Sequence, residues 1–172
     1  DLVRSRGLGD VYKRQIILGY CYDEVDAAVR AQMRKGAIFS MASPIELEVA
    51  NLIHEMVPCA EMVRFMKTGA DANMCNVRIA RAVTGRDRIV IRGYHGYHDW
   101  FLPAQQGVPQ AVRDLVDAVA DNDVDALRRV FGEKGERIAA LVMEPYGWGD
   151  DTSGEFAREA RRLTSEYGAL LI

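Results

Sequence analysis

Three short stretches carry side chains that could do chemistry. The first is Thr68, Gly69 and Ala70, at the entrance to a long helical pattern. A helix N terminus offers free backbone N–H groups and a partial positive charge, so a glycine that lets the backbone approach, with a hydroxyl beside it, suits an anion such as phosphate. An ordinary tight turn uses the same residues. Neither a G-x-x-x-x-G-K-[ST] loop nor a G-x-G-x-x-G after a strand occurs, so nucleotide binding lacks its motif. The second stretch, GYHGYHDW (Gly93 to Trp100), gathers two of the three histidines, two tyrosines and a tryptophan. His95, His98 and Asp99 could face a metal, as in a metal hydrolase, but histidines three apart on a loop do not make a standard zinc pattern. The rings could instead form a platform for a flat ligand, worth about 0.5–1.5 kcal/mol beyond burial, or pack on the core. The third is Glu144, a carboxylate closing the apolar run IAALVME. It is placed to orient neighbouring loops or a ligand, or to remain solvated in a turn.

The elements around these stretches position them. Glu24 to Arg34 reads as a short helix. SPIELEVANLIHEMVP follows, with Ser43 as cap, Pro44 at the first helical position and Glu46 completing a capping box. Ile45, Val49, Leu52, Ile53 and Met56 form its apolar stripe, and Pro58 stops it. MVRFM (Met62 to Met66) is a strand candidate. The helix after Gly69 shows Ala72, Cys75, Ile79, Ala82 and Val83 on one face and is closed by Gly85. RIVIR (Arg88 to Arg92) is a strand, Gly93 to Pro109 a loop, and Val124 to Phe131 a helix. IAALVM has the continuous apolar character of a strand buried on both faces. Phe156, Ala160, Leu163, Thr164 and Tyr167 mark a last helix, closed by Gly168, before the strand-like ALLI. Alternation of this kind predicts an α/β fold, a mostly parallel sheet with flanking helices. In such sheets ligands sit beyond the carboxyl ends of the strands, where all three stretches fall.

Bulk properties narrow the classes. The chain has 172 residues, 49% of them hydrophobic, which is enough for a core. A net charge of −3 argues against a general nucleic-acid binder. No run reaches the roughly 18 apolar residues of a membrane helix. Three widely spaced cysteines, Cys21, Cys59 and Cys75, form neither a disulfide framework nor a zinc pattern and suit a reducing cytoplasm. The opening DLVRSRGLGDVYKRQ is basic, glycine-punctuated and aperiodic. Residues 1–15 therefore read as a non-native, adapter-like segment, residues 16–57 as an N-terminal helical portion and residues 58–172 as part of a larger ligand-binding domain, cut short at its end.

Taken together, KTGADA (Lys67 to Ala72), ARAVTGRDRIV (Ala80 to Val90), GYHGYHD, LVMEPYGWG and YGALLI resemble the class III pyridoxal-phosphate (PLP) aminotransferases of fold type I. The resemblance is nearest to the glutamate-1-semialdehyde 2,1-aminomutase branch. ILGY and SPIELEVANLIHEMVP also fit, so it covers nearly all of Ile16 to Ile172. It implies the large PLP-binding domain of that fold and a homodimer whose second subunit completes the site. It further implies a small-molecule amino donor and acceptor, either an amino acid or an amino-aldehyde. Thr68, Gly69 and Ala70 inherit the role of holding the cofactor phosphate. Tyr94 matches the aromatic that stacks on the pyridine ring, and His95 follows it. The aspartate facing the ring nitrogen and the Schiff-base lysine are expected beyond Ile172, so no catalytic residue is assigned within the chain, and the segment alone is expected to be inactive. Three positions depart from the pattern: Ala70 stands for a threonine, Asp71 for a glutamate, and Gly149 where relatives often carry a polar residue. A divergent, non-catalytic binding protein of the same fold is the alternative that Ala70 suggests.

Overall fold

The computed structural model describes residues 18, 20–102, 106–144 and 154–172. The adapter-like segment, Ile17 and Gly19 of ILGY, and the stretch from Pro145 through Gly149 lie outside the described residues. The chain divides into two compact units, Asp1–Arg64 and Phe65–Ile172.

The first unit holds two helices. In α1 (Asp23–Met33), Asp23, Glu24 and Asp26 crowd the first turn, where the helix dipole favours negative charge. α2 (Pro44–Met56) begins with the capping box: the Ser43 amide donates to Glu46 Oε2 at 2.8 Å, and Pro44 takes a position whose N–H would be unused. The apolar stripe of α2 is present, but none of the helix is buried, and Leu52 and Met56 are exposed.

The second unit is a layered α/β domain. Its elements run α3 (Gly69–Thr84), β1 (Arg88–Arg92), a 3₁₀ turn (Asp99–Phe101), α4 (Gln110–Arg113), β2 (Val116–Ala118), α5 (Val124–Lys134), β3 (Ile138–Met143), α6 (Glu155–Tyr167) and β4 (Leu170–Leu171). The strands form one sheet in the order β2-β1-β3-β4, and every pairing is parallel. β1 and β3 lie inside the sheet and are almost wholly buried, as their unbroken apolar runs require. Leu127 and Phe131 of α5 and Phe156, Ala160 and Leu163 of α6 pack with Val90, Ile138 and Leu141 in one core cluster. Val77 of α3 packs with Ile89, Ile91 and Val142, and Ala80 with Ala139 and Ala140, in two others.

Three expectations change. MVRFM is not a strand, because residues 62–66 pair with no neighbour and Met62 is 93% exposed; without a ladder an extended segment is not a strand. Its place as the fourth strand goes to β2, whose core Val-Asp-Ala lies in the unremarkable LVDAV. The second change is the face of α3. The helix buries Ala70, Val77 and Ala80, whereas Ile79 and Val83, on the expected stripe, are 55% and 70% exposed. Small side chains win there because Ala80 meets Ala139 and Ala140, which lets helix and sheet approach closely. The third change is the loop from Gly93 to Pro109, which contains a 3₁₀ turn over Asp99–Phe101.

Gly85 and Gly168 close α3 and α6 in the left-handed region, with φ of 68° and 65°. Between α5 and α6, Glu159 accepts hydrogen bonds from Arg162 and from Arg128 Nε, the latter at 2.8 Å. These partners, Arg162 foremost, hold its carboxyl at about 2 against an ordinary 4.5. A depressed carboxyl pKa means that the contribution to stability is complete above the unfolded value and disappears as pH falls through the folded one. Glu159→Gln should therefore lower the melting temperature at pH 7 and flatten its decline between about pH 4.5 and 2, as thermal melts across that window will show.

Candidate functional site

The carboxyl ends of β1 and β3 lie side by side, since Arg92 pairs with Met143 in parallel register. The chain leaves β1 through Gly93, whose φ of +87° turns it sharply. A β-carbon added to Gly93 would lie 3.5 Å from Glu144 Oε2, so Glu144 at the end of β3 covers the exit of β1. Tyr94 follows immediately and is 64% exposed.

Arg92 ties the two strand ends together. Its side chain is only 3% exposed. One guanidinium nitrogen donates to the Glu144 carbonyl at 2.7 Å and another to Asn122 Oδ1 at 3.1 Å. Its Nε lies 3.2 Å from Asp121 Oδ1, within ion-pair range but off the hydrogen-bonding direction. The guanidinium also lies 5.0 Å from the centre of the Phe156 ring.

The loop after β1 folds back onto the start of α3. His95 is buried, and its Nε2–H donates to the Arg92 carbonyl at 2.7 Å. A carbonyl can only accept, which fixes the tautomer. Burial pushes the His95 pKa down, against the opposing pull of that carbonyl and of the Glu144 charge, which favours the neutral ring. Asn73 Nδ2 donates to the His95 carbonyl at 3.1 Å. Gly96, at φ +112°, presses on Ala70: an added β-carbon would overlap the Ala70 side chain and lie 2.9 Å from its Cα. His98 Nε2–H donates to Asp71 Oδ1 at 3.3 Å. Trp100 closes the contact, with the Arg81 guanidinium 3.9 Å from its ring centre.

At the α3 N terminus the Thr68 hydroxyl accepts from the Asp71 amide at 3.1 Å and donates to Asp71 Oδ2 at 2.7 Å. The Ala72 amide reaches the Thr68 carbonyl. That leaves the Gly69 and Ala70 amides without an acceptor among the described residues. A β-carbon on Gly69 would find no atom within 4 Å, so the backbone there is open to a ligand. Thr68 first, and then His98, hold the Asp71 carboxyl below the usual carboxylate range.

The structure thus gathers Thr68, Gly69, Ala70, Tyr94, His95 and Glu144 around one edge of the domain. It changes how some of them are used. Thr68 spends its hydroxyl proton on Asp71. Ala70 is buried under Gly96, so a threonine there would place its branch between helix and loop. His95 and His98 point to Arg92 and Asp71, which dismantles the metal arrangement with Asp99; among the described residues no group of three or more His, Cys, Asp or Glu could hold a metal ion. No helix among them is long and apolar enough to cross a membrane. Spacing gives no hint of Arg92, Asn73 or the Asp71–His98 pair. The one available signal for Arg92 is a charge that ends a strand directly after the apolar run Ile89, Val90 and Ile91.

Comparison with known proteins gives the family. Residues 12–172 match the family described as Aminotransferase class-III. The chain is 38% identical over 174 aligned residues to the glutamate-1-semialdehyde 2,1-aminomutase of Aquifex aeolicus (strain VF5), covering 91% of the chain and 41% of that protein. It is 32% identical to the 3-aminobutyryl-CoA aminotransferase of Cloacimonas acidaminovorans (strain Evry), covering 91% and 39%. Among solved structures, the PLP internal aldimine form of the FumI protein of Sphingopyxis sp. MTA144 superposes with a TM-score of 0.80 at 34% identity, covering 89% of the chain and 39% of that structure. The chain therefore spans about two fifths of the length of the relatives it matches.

Proposed function

The chain belongs to the class-III aminotransferase family, and from that premise we propose that the whole protein is a PLP-dependent aminotransferase or 2,1-aminomutase acting on an amino acid or amino-aldehyde. The observation that carries this is the juxtaposition of two unpartnered helix-terminal amides, Gly69 and Ala70, with an aromatic loop at the carboxyl ends of β1 and β3. The residues fit a flat, phosphate-bearing cofactor. The amides and the open backbone at Gly69 suit the phosphate, and the exposed Tyr94 offers a ring face.

Each residue then has a physical task. Gly69 and Ala70 bind the phosphate through their N–H groups, aided by the α3 dipole. Thr68 caps the helix and so fixes the direction of those amides. Tyr94 stacks on the ring. The buried His95 anchors the loop to the end of β1 rather than touching the reacting atoms. Glu144, held by Arg92 through its carbonyl, borders the site and orients the exit of β1. When bound, PLP supplies an electron sink for negative charge that develops beside an amino nitrogen. Within the same reading, residues 16–57 are the N-terminal helical portion and residues 58–172 part of the cofactor domain, the protein works as a homodimer, and its compartment is the cytoplasm. The free cysteines, two of them exposed, support that last point.

The test is cofactor uptake by the whole protein. After incubation with PLP and dialysis, the wild type should retain about one cofactor per chain, and Tyr94→Ala should weaken its affinity roughly two- to tenfold, the worth of one stacked ring. Wild-type protein that retains none would defeat the proposal.

A further inference from the structure

The aromatic loop and the helix-terminal turn belong to different parts of the chain, yet one cofactor would have to touch both. The Asp71 carboxylate joins them. Its Oδ2 accepts from the Thr68 hydroxyl at 2.7 Å, within the turn, and its Oδ1 accepts from His98 Nε2–H at 3.3 Å, on the loop. His98 is braced in turn by Tyr97, whose ring stacks on it at 5.4 Å with an 11° tilt between planes. Alongside this strap, Gly96 rests on Ala70 and Asn73 holds the His95 carbonyl, so the loop meets α3 over its first turn and a half.

We propose that Asp71 and His98 are positioning residues: the Asp71 carboxylate straps the aromatic loop to the turn, setting Tyr94 and the Gly69 and Ala70 amides at the one spacing that a phosphate-bearing ring requires. The inference rests on the cofactor reading above and adds residues to it that touch no ligand. It also explains the use of the Thr68 hydroxyl, whose proton is committed to the strap, so that the anion is left to the two amides. A site that must meet both ends of a rigid ligand gains affinity from a fixed separation, because the loop's freedom is lost on folding and not on binding.

The experiment uses the whole protein, with two readouts on His98→Ala, His98→Gln, Asp71→Ala and the double alanine variant. Hydrogen exchange reports the loop, and equilibrium titration with PLP reports the site. In His98→Ala, amides 93–101 should exchange about tenfold faster while those of β1 and β3 keep their protection, and PLP should bind roughly three- to tenfold more weakly. His98→Gln, which keeps a donor near the Nε2 position, should recover most of both. The double variant should be no worse than the poorer single one, since both remove the same contact. Unchanged exchange and affinity in His98→Ala, with PLP bound normally by the wild type, overturns the inference alone. Losses that spread across the sheet and are not rescued by glutamine overturn it too, by showing a general fold defect. Wild-type protein that binds no PLP overturns the cofactor reading and the positioning role together.

Discussion

Gly96→Ala is expected to destabilise the protein by about 2–4 kcal/mol, combining left-handed backbone strain with overpacking, and to reduce PLP uptake sharply. At φ +112° an alanine is strained wherever it stands, and here its β-carbon also has no room, because the Ala70 side chain and Cα occupy that space. The loop must lift from α3 to accept it. Lifting separates Tyr94 from the Gly69 and Ala70 amides, so the cofactor loses one of its two contacts. Urea unfolding and PLP titration measure the two effects. Adding Ala70→Gly should recover only part of the stability, because the Ala70 Cα would still lie 2.9 Å from the new methyl and the backbone strain would stay. A Gly96→Ala variant as stable as the wild type would mean that the loop does not rest on the helix.

Arg92→Met should cost about 3–5 kcal/mol, because two hydrogen bonds from a charged donor, worth about 1.5–3 kcal/mol each, are lost. Methionine keeps much of the length of the side chain and can still lie against Phe156. It supplies no donors, so the Glu144 carbonyl and Asn122 Oδ1 lose their bonds. Arg92→Lys should recover little, because a single ammonium cannot reach both acceptors with the planar spread of a guanidinium. The joined ends of β1 and β3 would loosen at the point where the loop departs, so PLP affinity should fall with stability. A loss below about 1 kcal/mol, the net worth of one ordinary hydrogen bond, would show that the strand ends are held by the ladder alone.

Much of the domain is legible in the sequence. Continuous apolar runs mark β1 and β3 because strands inside a parallel sheet are covered on both faces. Apolar spacing in α6 marks the buried Phe156, Ala160, Leu163 and Thr164 correctly because that helix is strongly polar elsewhere, which leaves one choice of face. Gly85 and Gly168 mark helix ends because only glycine takes the left-handed conformation without penalty. Ser43 and Glu46 mark a helix start because a capping box is local chemistry, satisfied within four residues.

What failed to be legible depends on partners distant in sequence. MVRFM has the composition of a strand, but a strand exists only beside another, and both neighbours of β1 are supplied by segments that come later in the chain. In α3 the larger apolar residues suggest one face, yet the buried face is the one on which alanines meet the alanines of β3, and side-chain volume against a particular sheet decides that. The motif residues Thr68, Gly69, Ala70, Tyr94 and Glu144 could be picked out by type because each follows a local pattern: a helix entrance, a strand exit, an apolar run ending in a carboxylate. Their common edge, the burial of His95, the clamp formed by Arg92 and the strap from Asp71 to His98 were decided only by tertiary structure. Each is a contact between residues that the sheet's parallel crossovers bring together, or a consequence of the burial those contacts create. Local rules determine what each segment can become; which atoms meet at the site follows from how the whole sheet packs.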